Sequence, residues 1–264
     1  MFKLAVNLSM IFTEYPLLER FALAKQAGFD HVEIQFPYDH SIEQIQQQLQ
    51  QHDLNLCLIN LPAGDFMQGG VGLASHPEQL EQFQHAIETA VRYANALNVS
   101  KLNVLSGRKH PDYSEQQCYD TFIHNLQRTC QYVQQHSHAH VVFEMINGVD
   151  LPNVLIQSLA QAQQVLLDAN QAQLKMQFDC YHMAKMDENV VHALQQNLPH
   201  IGHIQFADTP HRHQPDTGDL DFAQIFQYLK QSDYHDYVAA EYRPQAHSLD
   251  SFAWKNRYFA AEML

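Results

Sequence analysis

The chain is 264 residues long, 45% hydrophobic and 17% charged, and its 29 acidic against 15 basic side chains give a formal net charge of −14. That balance argues against a nucleic-acid backbone or an anionic membrane surface as the main partner, because both are held by clustered Lys and Arg. Cys57, Cys118, Cys130 and Cys180 show no two-residue spacing, and the first residues run into Asn7 and Ser9. The expectation is therefore a cytoplasmic protein with reduced thiols, no thiolate metal motif, no signal peptide and no membrane span.

Apolar or alternating runs of strand length begin at residues 3–7 and recur at 31–36, 55–60, 101–105, 140–144, 175–179, 203–207 and 237–241. Between them, residues 16–27, 41–52, 77–97, 114–135, 153–170, 188–197 and 221–230 carry apolar side chains at helical spacing. The first of these closes on Gly28, as a left-handed C-cap prefers. The second is rich in glutamine, yet Ile42, Ile45 and Leu49 make one apolar face, which predicts a solvated helix and not a low-complexity segment. Strand and helix alternate to the end, with no linker rich in Pro, Gly or Ser between them. Eight such units predict one α/β domain over residues 1–264, a (β/α)8 TIM barrel with its active-site residues at the C-terminal ends of the strands. An open doubly wound sheet is the alternative, but no Gly-x-Gly-x-x-Gly follows the first strand.

Four of the later runs end on an oxygen-bearing side chain: Glu144, Asp179, Gln205 and Glu241, at intervals of 35, 26 and 36 residues. Each interval matches one strand, one return helix and their loops, so the four side chains converge if the strands are parallel neighbours. Three carboxylates and an amide oxygen in one place repel each other unless a cation sits among them. Oxygen donors without cysteine suit Mg²⁺ or Mn²⁺. Such an ion chelates a carbonyl and a neighbouring hydroxyl and stabilises the enediolate formed when the adjacent carbon loses a proton. Glu144 and Glu241 then stand as a pair of bases that remove a proton at one carbon and return it at the next. The bland alternative for any one of these carboxylates is a helix N-cap or a loop salt bridge.

The stretches Asn7-Leu8-Ser9-Met10, Phe36-Pro37-Tyr38, Asn60-Leu61-Pro62-Ala63-Gly64-Asp65, Tyr181-His182-Met183, Gly202-His203-Ile204-Gln205 and Glu241-Tyr242-Arg243-Pro244 together resemble the hydroxypyruvate isomerase family. The resemblance spans nearly the whole chain. It implies a xylose-isomerase-like TIM barrel that interconverts hydroxypyruvate and tartronate semialdehyde, with Glu144, Asp179, Gln205 and Glu241 as metal ligands and Glu144 and Glu241 as the proton donor and acceptor. No organic cofactor is implied. His182 and Arg212 are the further substrate-binding candidates, His182 through a substrate oxygen and Arg212 through a forked grip on a carboxylate. Arg108 is a third, standing where the family pattern leads one to expect Lys; Arg243 does the same. Gln205 stands where sugar epimerases of the wider superfamily place His, and Gly148 stands where a larger residue is common, which predicts a wider pocket.

Neighbouring readings are a 3-dehydrotetronate-type (2-oxo-tetronate) sugar-acid isomerase and a ketose C3 epimerase. Outside that class lie a sugar-acid binding barrel without chemistry and a metal-dependent nuclease, which the acidic balance disfavours. A small hydroxy-oxo acid is the expected partner, and a homo-oligomer formed through helix faces is compatible with the chain. Glu33, at the end of the second run, is expected in the barrel mouth or in an ion pair. Gly69-Gly70-Val71-Gly72 lacks the Lys-Ser/Thr ending of a phosphate cradle and predicts a lid. The remaining histidine clusters, 136, 138 and 140 among them, read as polar surface.

Overall fold

Each of the eight strand-length runs forms a strand, and in the computed structural model, which describes residues 2–260, the strands close on themselves. They are β1 (Lys3–Asn7), β2 (His31–Ile34), β3 (Asn55–Asn60), β4 (Lys101–Leu105), β5 (His140–Glu144), β6 (Lys175–Asp179), β7 (Ile201–Phe206) and β8 (Tyr237–Ala240). Each pairs in parallel with the next, and β8 pairs with β1. Around them run α1 (Leu17–Gln26), α2 (Ile42–Gln51), α3 (Leu80–Leu97), α4 (Glu115–His136), α5 (Leu159–Ala169), α6 (Cys180–Lys185), α7 (Val190–Asn197), α8 (Phe222–Gln231) and α9 (Ala253–Phe259). This is a TIM barrel.

Local chemistry explains the element ends. Ser41 and Ser114 each accept from the backbone N–H three residues on, while Gln44 and Gln117 reach back to the capping residue, so α2 and α4 both start on a capping box. Ile45 and Leu49 are the buried face of glutamine-rich α2. Residues 153–158, expected as the first turn of α5, instead lie in a loop: Val154 pairs with Arg108 in an antiparallel bridge, and the helix waits for its cap at Ser158.

Two faces of each strand do different work. Outward side chains such as Val6, Ile34, Leu102, Phe143, Phe178, Ile204 and Val238 join the helices in one large apolar cluster. Inward side chains split into two levels. At the N-terminal end, Ala5, Leu58, Val142 and Ala239 form a small separate apolar floor with Cys57, below which Lys101 pairs with Asp236. At the C-terminal end the lining turns polar: Asn7, Glu33, Asn60, Asn103, Glu144, Gln177, Asp179, His203, Gln205 and Glu241 are all buried. A core so polar must satisfy its hydrogen bonds internally or hold something that does.

Candidate active site

Asp179 ends β6 and caps α6 in the same move, its Oδ1 accepting from Tyr181 N–H at 2.9 Å. Its Oδ2 lies 3.2 Å from Arg212 Nη2, and the same nitrogen bridges to Glu241 Oε2. The bland reading of a strand-end carboxylate, a helix cap and a loop ion pair, is thus realised at Asp179. Glu144 Oε1 and Asp179 Oδ2 stand 3.6 and 3.5 Å from His182 Nε2, and ligand atoms of these three residues fall within 4.8 Å of one another. Glu241, the first residue beyond β8, has its other oxygen fixed by Asn7 Nδ2 and Gln35 Nε2, both at 2.9 Å.

Burial is the main force on all three carboxyls. It raises Glu144 well above the usual range, with Glu241 and Asp179 adding repulsion. It pushes Glu241 up to about 7, even against the pull of Arg212. Asp179 is raised by burial too, while Arg212 restrains it. For Arg212 burial alone would lower the pKa, but Glu241, Asp179 and Glu144 outweigh it and hold the guanidinium charged. Arg212 itself sits at φ 61°, a left-handed conformation uncommon outside glycine, stabilised by backbone bonds to Asp208 and Arg243.

His182 is set as a donor. Burial first, then Arg212, lowers its pKa well below the usual value, so it is neutral. Its Nδ1 faces Asn147 Nδ2 at 2.6 Å. The orientation of that amide is fixed because Asp150 N–H donates to Asn147 Oδ1 at 2.8 Å and Asp150 Oδ2 accepts from Nδ2 at 3.1 Å. With Nδ1 accepting, the proton resides on Nε2 and points at Glu144 and Asp179. A protonated Nε2 cannot ligate a metal, so among these three neighbours the carboxylates are the donors for a cation and His182 is a hydrogen-bond donor.

Two amide chains rise from buried carboxylates toward the cavity. Glu33 Oε1 accepts from Gln205 Nε2 at 2.6 Å, and Gln205 Oε1 accepts from Gln177 Nε2 at 2.7 Å. Glu33 also accepts from Asn7 Nδ2 and meets His203 Nε2, each at 2.7 Å. In the second chain Asn103 Nδ2 donates to Glu144 Oε2 at 3.3 Å and to Asn60 Oδ1 at 3.0 Å, which turns the Asn60 amide nitrogen the other way. Gln177 Oε1 is left buried without a partner, a condition that costs about 1–3 kcal/mol unless a ligand relieves it.

These residues suit a hard divalent ion. Three buried carboxylates, Glu144, Asp179 and Glu241, share one partly buried guanidinium, and Gln205 Oε1 keeps a second lone pair after accepting from Gln177. Glu144, Asp179, Gln205 and Glu241 would hold it.

The cavity beside these groups measures about 70 Å³ and is lined by Glu144, Gln177, His182, Arg212 and Glu241, with Phe66, Met67 and Leu151 among its apolar members. Phe66 and Met67 come from the loop after β3, so that loop borders the cavity through these two residues and not through Gly69-Gly70-Val71-Gly72, which follow them. Arg108 is not brought to the carboxylates. Its Nη1 donates to Phe66 O at 2.8 Å and Gly70 O at 2.5 Å, and its guanidinium lies 4.5 Å from the Phe66 ring. Gly70 leaves room for the Asp65 carboxylate, which a Cβ would strike at 1.9 Å. Gly148 does not open the pocket as expected: a Cβ there would meet Gln157 Oε1 at 2.3 Å, so that side chain already fills the space. Asn7, Gln35, Asn103, Asn147 and Gln177 were not singled out by strand-end reasoning as site residues. For Asn7, Asn103 and Gln177 the signal is a polar residue on the inward face of a strand otherwise fit for burial; Gln35 and Asn147 lie in the loops just beyond β2 and β5.

Residues 21–258 match the family described as xylose isomerase-like TIM barrel. The chain is 36% identical over 258 residues to the hydroxypyruvate isomerase of Escherichia coli, covering 98% of this chain and 100% of that one. It is 32% identical over 256 residues to the 2-oxo-tetronate isomerase of Cupriavidus necator, covering 97% and 98%. Among solved structures, the AP endonuclease, family 2 from Brucella melitensis superposes with a TM-score of 0.93 at 32% identity, covering 98% and 99%.

Proposed function

The chain belongs to the xylose isomerase-like TIM-barrel family, and we propose that this member is a metal-dependent sugar-acid isomerase interconverting hydroxypyruvate and tartronate semialdehyde. The observation that carries the reading is the pair Glu144 and Glu241, two buried carboxyls of raised pKa at one small cavity. Such a pair shares protons unequally, so one member accepts while the other donates. One glutamate takes the proton from C3 of hydroxypyruvate and leaves an enediolate. The other protonates C2, the hydroxyl proton passes from O3 to O2, and exchange with solvent resets the pair. Mg²⁺ or Mn²⁺, when bound, supplies polarisation of the carbonyl and charge to stabilise the enediolate. Arg212 grips the substrate carboxylate, and His182 Nε2–H donates to a substrate oxygen.

A cavity of about 70 Å³ is far below the roughly 300–1,000 Å³ of sites for drug-sized ligands, which favours a three-carbon acid over a six-carbon ketose. The four-carbon 2-oxo-tetronate substrate is the second reading, supported by the Cupriavidus necator relative. The nuclease name of the Brucella melitensis structure finds no support in a net charge of −14.

The test is to incubate chelator-stripped protein with hydroxypyruvate, with and without Mg²⁺ or Mn²⁺, and to follow tartronate semialdehyde with its reductase. Turnover should depend on metal, and Glu144→Gln should lower it about a thousandfold with the circular-dichroism spectrum kept. A near-normal rate in that variant sinks the two-glutamate mechanism, and a higher kcat/KM for 2-oxo-tetronate selects the second reading.

A further inference from the structure

Gln177 has no part in the reaction as written above, yet its amide has only one possible direction. Glu33 Oε1 accepts, so Gln205 turns Nε2 toward it. Gln205 Oε1 then faces Gln177, which must donate through Nε2. What remains is Gln177 Oε1, unpartnered, in a residue 1% exposed that lines the cavity of the carboxylates. An amide oxygen accepts and never donates. A carbonyl or carboxylate oxygen of a ligand cannot satisfy it; of the groups on a hydroxy-oxo acid, only the hydroxyl can.

We infer that Gln177 Oε1 accepts the hydroxyl of the substrate, selecting hydroxylated over deoxy acids and deciding which end of the molecule enters first. This rests on the sugar-acid reading of the same site. Gln177 lies two residues below Asp179 on β6, whereas Arg212 descends from the loop beyond β7. The substrate therefore enters hydroxyl end first and keeps its carboxylate toward the mouth, at Arg212. The opposite orientation would set a carboxylate against an acceptor.

Hydroxypyruvate and pyruvate differ by one hydroxyl, and equilibrium dialysis of both against wild-type protein and Gln177→Met reads its worth without depending on turnover. Wild type should prefer hydroxypyruvate by about tenfold, the size of one neutral hydrogen bond. Gln177→Met, nearly the same in shape, should bring that ratio close to one while pyruvate affinity stays. If the methionine variant does not fold, Gln177→Asn, which withdraws the amide by one methylene, should show the same collapse. A preserved ratio in a folded variant, or no preference in wild type, overturns the assignment. A preference that depends on Gln177 in a protein with no isomerase turnover upholds the assignment and removes the isomerase reading instead.

Discussion

At the scale of single residues, protons and cations compete for the same buried oxygens. Glu144, Asp179 and Glu241 have folded-state pKa values above their ordinary ones. Between about pH 4.5, where an unfolded glutamate ionises, and the folded value of about 7 for Glu241, the native protein thus binds more protons than the unfolded chain. Stability of metal-free protein is fully present below that window and falls as pH rises through it. A divalent ion offsets the repulsion only once the carboxyls are ionised. Saturating Mn²⁺ should therefore raise the melting temperature by roughly 5–10 °C at pH 8 and by much less at pH 5.5; thermal unfolding with chelator or metal checks this, and an equal shift at both pH values refutes it. A second prediction concerns Asn147, which acts through His182. Asn147→Ala should cost about tenfold in kcat. Asn147→Asp should cost more, because a carboxylate facing Nδ1 draws the proton there and strips it from Nε2. The ¹⁵N shifts of the His182 ring report that change of tautomer directly.

At the scale of elements, the β3–α3 loop is held down by Arg108, whose two carbonyl acceptors, Phe66 and Gly70, flank Met67 on the lid. Both bonds leave one nitrogen, Nη1, of a planar guanidinium packed on the Phe66 ring, and an ammonium on a flexible stem lacks that flat face. Arg108→Lys should raise amide exchange across residues 66–72 and raise KM severalfold, whereas a residue touching only substrate would change KM and leave exchange alone. Hydrogen exchange in ligand-free protein separates the two. The same loop shows what a sequence can and cannot carry. Alternation of apolar strands with helices of period 3.6 revealed all eight strands and seven of the helices, because those patterns are written by burial along one element. The six-residue α6 and seven-residue α9 are too short for periodicity to register. Convergence of Glu144, Asp179 and Glu241 followed from strand spacing, since a closed parallel barrel puts equivalent strand ends together. The destination of Arg108 did not, because it depends on carbonyls some forty residues away in sequence. Nor did the direction of the Gln177 amide, which is decided by Glu33 on the far side of the barrel.

For the whole molecule, the distribution of charge decides which partners are open to it. Basic side chains are few, and several are committed inside the fold: Arg212 to the carboxylates, Lys101 to Asp236, Arg108 to the lid, and Lys255 to the carbonyls of Ala27 and Gly28 at the end of α1. The cavity is walled by the acids Glu144 and Glu241. A polyanion approaching it would meet a formal net charge of −14 and would find few free cations from which to release its counterions. A small monoanion differs in kind: one carboxylate needs one guanidinium, and Arg212 is held charged at the mouth by the very carboxyls that repel larger anions. Fluorescence anisotropy with a labelled duplex carrying an abasic site, in low salt and with Mg²⁺ or Mn²⁺ present, should therefore show no binding at protein concentrations up to about 10 μM, well within the range where non-specific DNA-binding proteins associate at low ionic strength. A salt-steep isotherm in that range would mean that a basic path across the surface outweighs the net charge, and would reopen the nuclease reading that the acidic composition closes.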